Sequence, residues 1–268
     1  MSDLSQSLSD TGTITWRNLT RLRRQPDSIV FGIIQSIMFV LLFAFVFGGA
    51  IAVPGGGDYT DYLMGGIFVQ TVAFTCATTC IAMADDLSRG LFDRFRSLPM
   101  SRSAVLAGRT FADLAFAGVT TAAMALTGLL VGWRTDAPVL SVLGGFALLA
   151  LFAYSFLWIG AVIGLSVRSV EVAQTAGLIW LFPLTFLSNA FVPLETMPSW
   201  LQPVAAWNPI SAVAAAVREL FGNVPPGYIA PDYWPLQNPV LASVLWCLLL
   251  LAIFMPLGVA RYRRAASR

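Results

Sequence analysis

Histidine and lysine are both missing from this chain of 268 residues, and charged residues of every kind make up only 11% of it. The absence of histidine excludes His-based catalytic triads, the HExxH zinc motif and imidazole proton relays. No GxxxxGK[ST] phosphate-binding loop occurs, and no polar stretch is long enough for a nucleotide-binding domain. We therefore expect a chain that does not hydrolyse ATP by itself and holds no metal or cofactor of its own.

Carboxylates are scarce where a membrane enzyme would need them. Asp113 is the only one inside an apolar run, so no pair is available for aspartyl proteolysis. Asp85, Asp86 and Asp93 lack the spacing of an aspartate-rich prenyltransferase motif. All three cysteines fall in apolar runs without metal-ligating neighbours, which indicates packing residues. The sequence therefore does not favour an enzyme.

Apolar residues dominate the chain, at 57% of its length, and they occur in long runs without strand-like alternation. Because lipid offers the backbone no hydrogen-bond partners, such runs predict membrane-spanning helices and an all-α membrane protein. Six runs reach the roughly 20 residues that a span needs. They cover residues 29–53, 62–84, 104–133, 139–167, 172–192 and 239–260.

The arginines predict the orientation of these six helices. Fourteen of the 16 fall before the first run, in or near the loop between runs two and three, between runs four and five, or after the sixth; only Arg134 and Arg218 fall on the opposite side. Because basic residues are retained in the cytoplasm, both termini are predicted to be cytoplasmic. Residues 1–28 then form a cytoplasmic segment, 29–260 the membrane domain and 261–268 a basic cytoplasmic tail.

Three segments outside the runs also show helical patterns. Residues 13–25 predict an amphipathic interfacial helix, which either anchors on anionic headgroups or contacts a partner protein. Residues 86–98 predict a short cytoplasmic helix that ends before Pro99. Residues 193–236 predict one or two short re-entrant helices on the external side, one of which starts at Asn208–Pro209 and stops at Gly222.

Polar side chains inside the runs are the candidates for a substrate path. In the second and fifth runs they either line such a path or join helices through hydrogen bonds; they are Gln70, Thr71, Thr75, Thr78, Gln174 and Asn189. Arg109 and Asp113 are spaced as an i, i+4 pair. This pair either lowers the free-energy cost of burying the two charges in the membrane or simply lies at the level of the lipid headgroups. Their role stays open at this point.

Two motifs resemble a known family. Residues 85–102, DDLSRGLFDRFRSLPMSR, resemble the signature between helices 2 and 3 of ABC-2 type permeases, and residues 189–203, NAFVPLETMPSWLQP, resemble the segment after helix 5. The resemblance extends from about residue 14 to residue 264 and is nearest to the daunorubicin-resistance subfamily. It implies six helices, an N-terminal amphipathic helix, a coupling helix and external re-entrant helices.

The resemblance also implies partners. Two permease chains, either identical copies or two different permeases, pair with two copies of a separate ATPase that binds ATP and magnesium. The coupling helix docks on that ATPase through a set of apolar and charged residues, namely Arg89, Leu91, Phe92, Arg94, Phe95 and Arg96. Membrane lipids are the remaining partners, and no nucleic acid is expected.

The function that the sequence favours is the permease subunit of an exporter in a bacterial inner membrane, moving a drug, lipid or other amphipathic compound. A secondary transporter independent of ATP is the alternative. It normally needs ionisable groups at mid-membrane, for which this chain offers at best Asp113. The sequence does not identify the cargo or the residues that contact it.

Overall fold

The computed structural model describes residues 26–47, 59–90, 102–224 and 227–265, together with single positions at 12, 15, 16 and 20. Regular structure in these ranges is helical throughout. The helices are α1 Pro26–Leu42, which continues as a π-helix Phe43–Phe47; α2 Tyr59–Ser88; α3 Arg102–Val131; α4 Val139–Gly164; α5 Val170–Leu178; α6 Leu181–Phe186; a 3-10 turn Leu194–Thr196; α7 Gln202–Ala206; α8 Pro209–Phe221; α9 Trp234–Gln237; and α10 Pro239–Ala265.

Four of the six predicted runs form helices long and apolar enough to cross a membrane. Within the described ranges they are Tyr59–Ser88, Leu106–Val131, Val139–Gly164 and Pro239–Arg263. The first and fifth runs form shorter apolar helical stretches, Val30–Val46 and Val170–Phe186. The chain is therefore a multi-pass, all-α membrane protein, while the count of six spans stays a prediction.

The fifth run is not one regular helix. It divides into α5 and α6, and turns follow from residue 187 onward. Pro183 lies in the first turn of α6 and has no backbone N–H, so it cannot donate to the carbonyl of Ile179. The proline therefore accounts for a break that hydropathy alone does not reveal.

Helix α2 lies at the centre of the bundle and contacts α3, α4, α5 and α8. Its closest neighbour is α4. Because Gly160 and Gly164 have no side chains, the backbone of α4 contacts the backbone of α2 at these two positions. A Cβ atom at either position would collide with the carbonyl oxygens of Cys76 and Cys80. This is the small-xxx-small pattern by which membrane helices approach each other.

Helix α8 has the ends that the sequence predicts. The side chain of Asn208 accepts a hydrogen bond from the Ile210 amide, and Pro209 occupies the first turn. Gly222 ends the helix with φ of +74°, a left-handed conformation that favours glycine. Most of α8 is buried against α2, α4 and α10. It is therefore part of the core and not a surface helix.

Of the predicted N-terminal interfacial helix, only Thr15, Trp16 and Thr20 lie within the described residues. All three are helical, and the Thr20 hydroxyl donates to the carbonyl of Trp16 at 2.8 Å. The Thr15 hydroxyl donates to the carbonyl of Gly108 in α3 at 3.2 Å. These positions therefore lie beside the start of α3.

Candidate functional site

A cavity of about 670 Å³ lies between α1, α2, α3 and the two ends of α5. Its apolar wall includes four phenylalanines, which are Phe31, Phe39, Phe74 and Phe116. Its uncharged polar groups are Gln35, Ser36, Gln70, Thr71, Thr75, Thr78 and Thr120. Its charged groups, Asp85, Arg89, Arg109 and Asp113, come from the C-terminal part of α2 and the N-terminal part of α3. We refer to this side as the charged end of the cavity.

The structure brings four of the six predicted path residues together. Gln70, Thr71, Thr75 and Thr78 all line the cavity, as expected from their helical spacing on α2. The other two lie elsewhere. Gln174 is exposed on α5 outside the lining, and Asn189 is buried in the turns that follow α6.

Most hydroxyl groups in the cavity donate to carbonyls of their own helix. Ser36 donates to Gly32 at 2.9 Å, Thr75 to Val72 at 2.6 Å and Thr78 to Thr75 at 2.7 Å. Thr120 donates to Ala117 at 3.0 Å. A hydroxyl has one proton and two lone pairs. The oxygen atoms of these groups therefore remain available as acceptors.

Gln70 places a buried amide oxygen in the cavity wall. Its side chain is 4% exposed, and its amide oxygen has no partner in the part of the chain that the structure describes. A buried acceptor left without a donor costs about 1–3 kcal/mol. Such a group, placed in a cavity wall, is available to a bound molecule.

An ionic network joins α2 to α3 at the charged end. Arg109 donates from Nε to both carboxylate oxygens of Asp113, at 3.2 and 3.3 Å, and from Nη1 to Asp86 at 3.1 Å. Thr79 donates to Asp113 at 2.7 Å. The predicted i, i+4 pair is confirmed, and it also bridges two helices. The sequence did not indicate the contributions of Asp86 and Thr79, because both belong to another helix.

Arg109→Gln is expected to lower the free energy of unfolding by about 1–2 kcal/mol, because two partly buried carboxylates lose their shared cation. The side chains of Arg109, Asp86 and Asp113 are 14–19% exposed. The matched control is Arg89→Gln, since Arg89 also pairs i, i+4 with Asp85 but is 63% exposed. Thermal unfolding in detergent should show a clearly smaller shift for the control. Equal shifts would contradict a bridging role.

Arg89 is the one predicted coupling residue that the structure describes. It donates from Nε to Asp85 at 2.8 Å, and this hydrogen bond raises the pKa of Arg89 above its ordinary value. The other five, Leu91, Phe92, Arg94, Phe95 and Arg96, lie outside the described residues.

Arg218 forms a second polar centre that the sequence does not reveal, since its place among the external re-entrant helices predicts only an arginine on the external side. Its side chain is buried on α8, where Nε donates to the carbonyl of Tyr62 at 2.7 Å. Nη2 donates to the carbonyls of Asn189 and Ala190 at 3.0 and 2.8 Å. The guanidinium also lies 3.6 Å from the centre of the Tyr62 ring. Arg218 therefore joins α8, the start of α2 and the turns after α6.

The only sequence signal for this centre is one arginine in a helix otherwise rich in alanine and valine. Gly65 makes room for it, because a Cβ atom there would lie 2.7 Å from Cγ of Arg218. Neither residue lines the cavity. The two polar centres are therefore separate parts of the molecule.

Comparison with known proteins bears on the whole chain. Residues 9–221 match the family model described as ABC-2 type transporter. A daunorubicin resistance ABC transporter permease from Streptomyces coeruleorubidus is 33% identical over 257 residues, which cover 96% of this chain and 87% of the relative.

Two more distant relatives are also permeases by description. A probable doxorubicin resistance ABC transporter permease from Mycobacterium tuberculosis is 27% identical, covering 94% of this chain and 88% of the relative. A putative transport permease from Cyanophora paradoxa is 25% identical, covering 77% of this chain and 72% of the relative.

Proposed function

Because this chain belongs to the ABC-2 type transporter family, we propose that it is the permease subunit of an ABC exporter that moves an amphipathic drug or lipid out of the cell. The chain is not catalytic by itself, and a separate ABC ATPase supplies the energy. ATP and magnesium bind to that partner. The match over residues 9–221 is the observation that carries this proposal.

The cavity supports an amphipathic cargo. Its phenylalanine wall suits an apolar body, and its amide, hydroxyl and charged groups suit a polar part of the same molecule. Gln70, Thr71, Thr75 and Thr78 are the proposed contacts along this path. In this proposal, ATP-driven closure of the ATPase changes which side of the membrane the cavity faces.

Six spans in a bacterial inner membrane, with both termini in the cytoplasm, complete the proposed topology. The uneven distribution of arginines supports this orientation. Arg218 contributes little to that argument, because it is buried and bonded to three carbonyl groups. The charged end of the cavity then faces the cytoplasm.

A second, identical permease chain is the proposed partner within the membrane. Polar groups on α5 support this pairing, since Gln174 and Thr175 are exposed on an apolar helix. Lipid tails offer such groups no hydrogen bonds, whereas a facing protein surface does. Gln174 thus belongs to the proposed contact between copies. Asn189, which is buried beside Arg218, has a structural role.

The proposed coupling helix, residues 86–98, includes the end of α2 and precedes α3. Its described part includes Arg89, which lines the charged end of the cavity, and Asp86, which pairs with the lining residue Arg109. Movement of a docked ATPase would therefore act directly on residues that contact the cavity wall. Two copies of the ATPase, one for each permease, fit this arrangement.

Co-purification of the tagged chain with the ATPase encoded beside it tests the function. The wild-type chain is expected to retain the ATPase and its ATP hydrolysis, and the mass of the complex should correspond to two copies of each subunit. Charge reversal at both Arg94 and Arg96 should lower the recovered ATPase at least about tenfold, because close opposite charges across an interface are lost.

The matched control reverses two exposed arginines at the end of α10, Arg261 and Arg263. This variant should retain the ATPase. If the wild-type chain, purified in a folded state, binds no ATPase at all, the exporter proposal fails. An ATP-independent secondary transporter then takes its place.

A further inference from the structure

The C-terminal part of α10 carries a groove of about 550 Å³. Its lining consists of four apolar residues and one arginine, which are Met255, Pro256, Val259, Ala260 and Arg263. These residues follow each other at intervals of three and four positions, so they share one face of the helix. At a rise of 1.5 Å per residue, the face extends for about 12 Å along the helix axis. The groove is therefore an apolar strip that ends at a guanidinium group.

The groove faces away from the bundle, because the opposite side of α10 is already packed. A Cβ atom at Gly258 would lie 3.1 Å from the Trp158 ring of α4. Tyr262 is 2% exposed and packs in a cluster with Leu106 of α3. All of the groove's lining residues belong to α10, and no described residue of another helix contributes to it. Its occupant must therefore come from outside the described chain.

The position of the groove along α10 places it at the boundary between acyl chains and headgroups. The last membrane-spanning stretch is Pro239–Arg263, so Arg263 is its final residue. A helix of these 25 residues is about 37 Å long, which exceeds the roughly 30 Å of the hydrocarbon core. The apolar part of the groove therefore lies at the level of the acyl chains, and Arg263 lies at the level of the headgroups.

The positive charge at this end of α10 has no counterpart in its own segment. Residues 261–268 contain four arginines, and no aspartate or glutamate follows Asp232 in the sequence. None of the ion pairs among the described residues involves Arg263, whose side chain is exposed. A guanidinium presents several N–H donors in a plane, a geometry that matches two oxygen atoms of a phosphate group. Charge complementarity therefore favours an anionic occupant.

We propose that this groove binds an anionic phospholipid, with an acyl chain along Met255, Val259 and Ala260 and the phosphate on Arg263. A headgroup with net negative charge gains from all the arginines of the tail, whereas a zwitterionic headgroup also brings a cation that they repel. Under the proposed topology this lipid belongs to the cytoplasmic leaflet. Helix α10 does not line the cavity between α1, α2, α3 and α5. The site is therefore independent of the cargo and of the ATPase.

Native mass spectrometry of the purified full-length chain in detergent tests this site, because it resolves the first lipid bound. The probes are dioleoyl phosphatidylglycerol, dioleoyl phosphatidylcholine and glycerol 3-phosphate. The two lipids have the same acyl chains and differ in net charge, while glycerol 3-phosphate has a phosphate without chains. Phosphatidylglycerol is expected to bind at least about fivefold more tightly than phosphatidylcholine, as for one arginine near an anionic lipid. Glycerol 3-phosphate should not displace it at equal concentration.

Two variants, each with a matched control, assign the contacts. Arg263→Gln should weaken binding of phosphatidylglycerol about fivefold, whereas Arg168→Gln, which alters an exposed arginine outside the groove, should change it less than twofold. Ala260→Trp fills the groove and should weaken binding of both lipids about fivefold. Its control is Ala252→Trp, since Ala252 is exposed on α10 but does not line the groove.

Equal affinity of the wild-type chain for the two lipids would overturn the proposal, and this result needs no variant that might fail to fold. Wild-type affinity for phosphatidylglycerol in Arg263→Gln would also overturn it. Displacement of the lipid by glycerol 3-phosphate would assign the arginine to a free anion instead. The same spectra report the mass of the chain, so loss of a dimer in Ala260→Trp alone would assign the groove to a second copy of the chain and reject the lipid.

Discussion

Replacing Gly160 by alanine is expected to lower the free energy of unfolding by about 3 kcal/mol, at the upper end of typical overpacking costs. The new Cβ atom would collide with the carbonyl oxygen of Cys76, which belongs to the backbone of α2. A helix backbone cannot move aside as a flexible side chain can. Helices α2 and α4 must therefore separate, and the midpoint of thermal unfolding in detergent should fall by several degrees.

Gly118→Ala provides the matched control for Gly160→Ala. Gly118 lies in α3, and a Cβ atom built there has nothing within 4 Å. Alanine favours a helix over glycine by about 0.5–1 kcal/mol. The control should therefore leave the midpoint unchanged or raise it slightly. Equal losses in both variants would mean that close contact between α2 and α4 does not stabilise the bundle.

Replacing Arg218 by alanine is the second change with a large expected effect, also about 3 kcal/mol of unfolding free energy. It leaves a cavity and removes the donor of the buried Ala190 carbonyl, and unmet buried acceptors cost about 1–3 kcal/mol each. The carbonyl of Asn189 keeps a second donor, the Tyr62 hydroxyl, at 2.8 Å. Thermal unfolding of the purified chain measures the loss.

Two further substitutions interpret the Arg218 result. Arg218→Lys retains the charge but not the planar guanidinium, so it should recover less than half of the loss. Arg134→Ala alters an arginine that is exposed, and it should have a smaller effect than Arg218→Ala. If Arg218→Ala unfolds at the wild-type midpoint, the guanidinium does not hold α8 against α2.

Some elements of the fold follow from local chemistry and could be predicted. Helix α8 has an asparagine cap, a proline in its first turn and a glycine stop, and these act within a few residues of each other. The long helices α2, α3, α4 and α10 follow from apolar length alone. The division of the fifth run into α5 and α6 was harder to predict, because a proline can kink a helix, break it or merely end it.

The cavity could be predicted in part. Helical spacing places Gln70, Thr71, Thr75 and Thr78 on nearby parts of α2, and these residues do line it. The facing residues could not be found in this way. Ser36 belongs to α1 and Thr120 to α3. The sequence alone does not predict which helices pack against α2.

By itself, the sequence determined that this protein is an all-helical permease without catalytic machinery, because apolar content, missing residue types and two family motifs are properties of the chain alone. Only the tertiary structure decided that Arg218 is buried in the core, that Arg109 joins two helices and that the Gln70 amide oxygen has no partner among the described residues. Whether a polar group is satisfied depends on the helices packed around it, and that packing joins residues far apart in the chain.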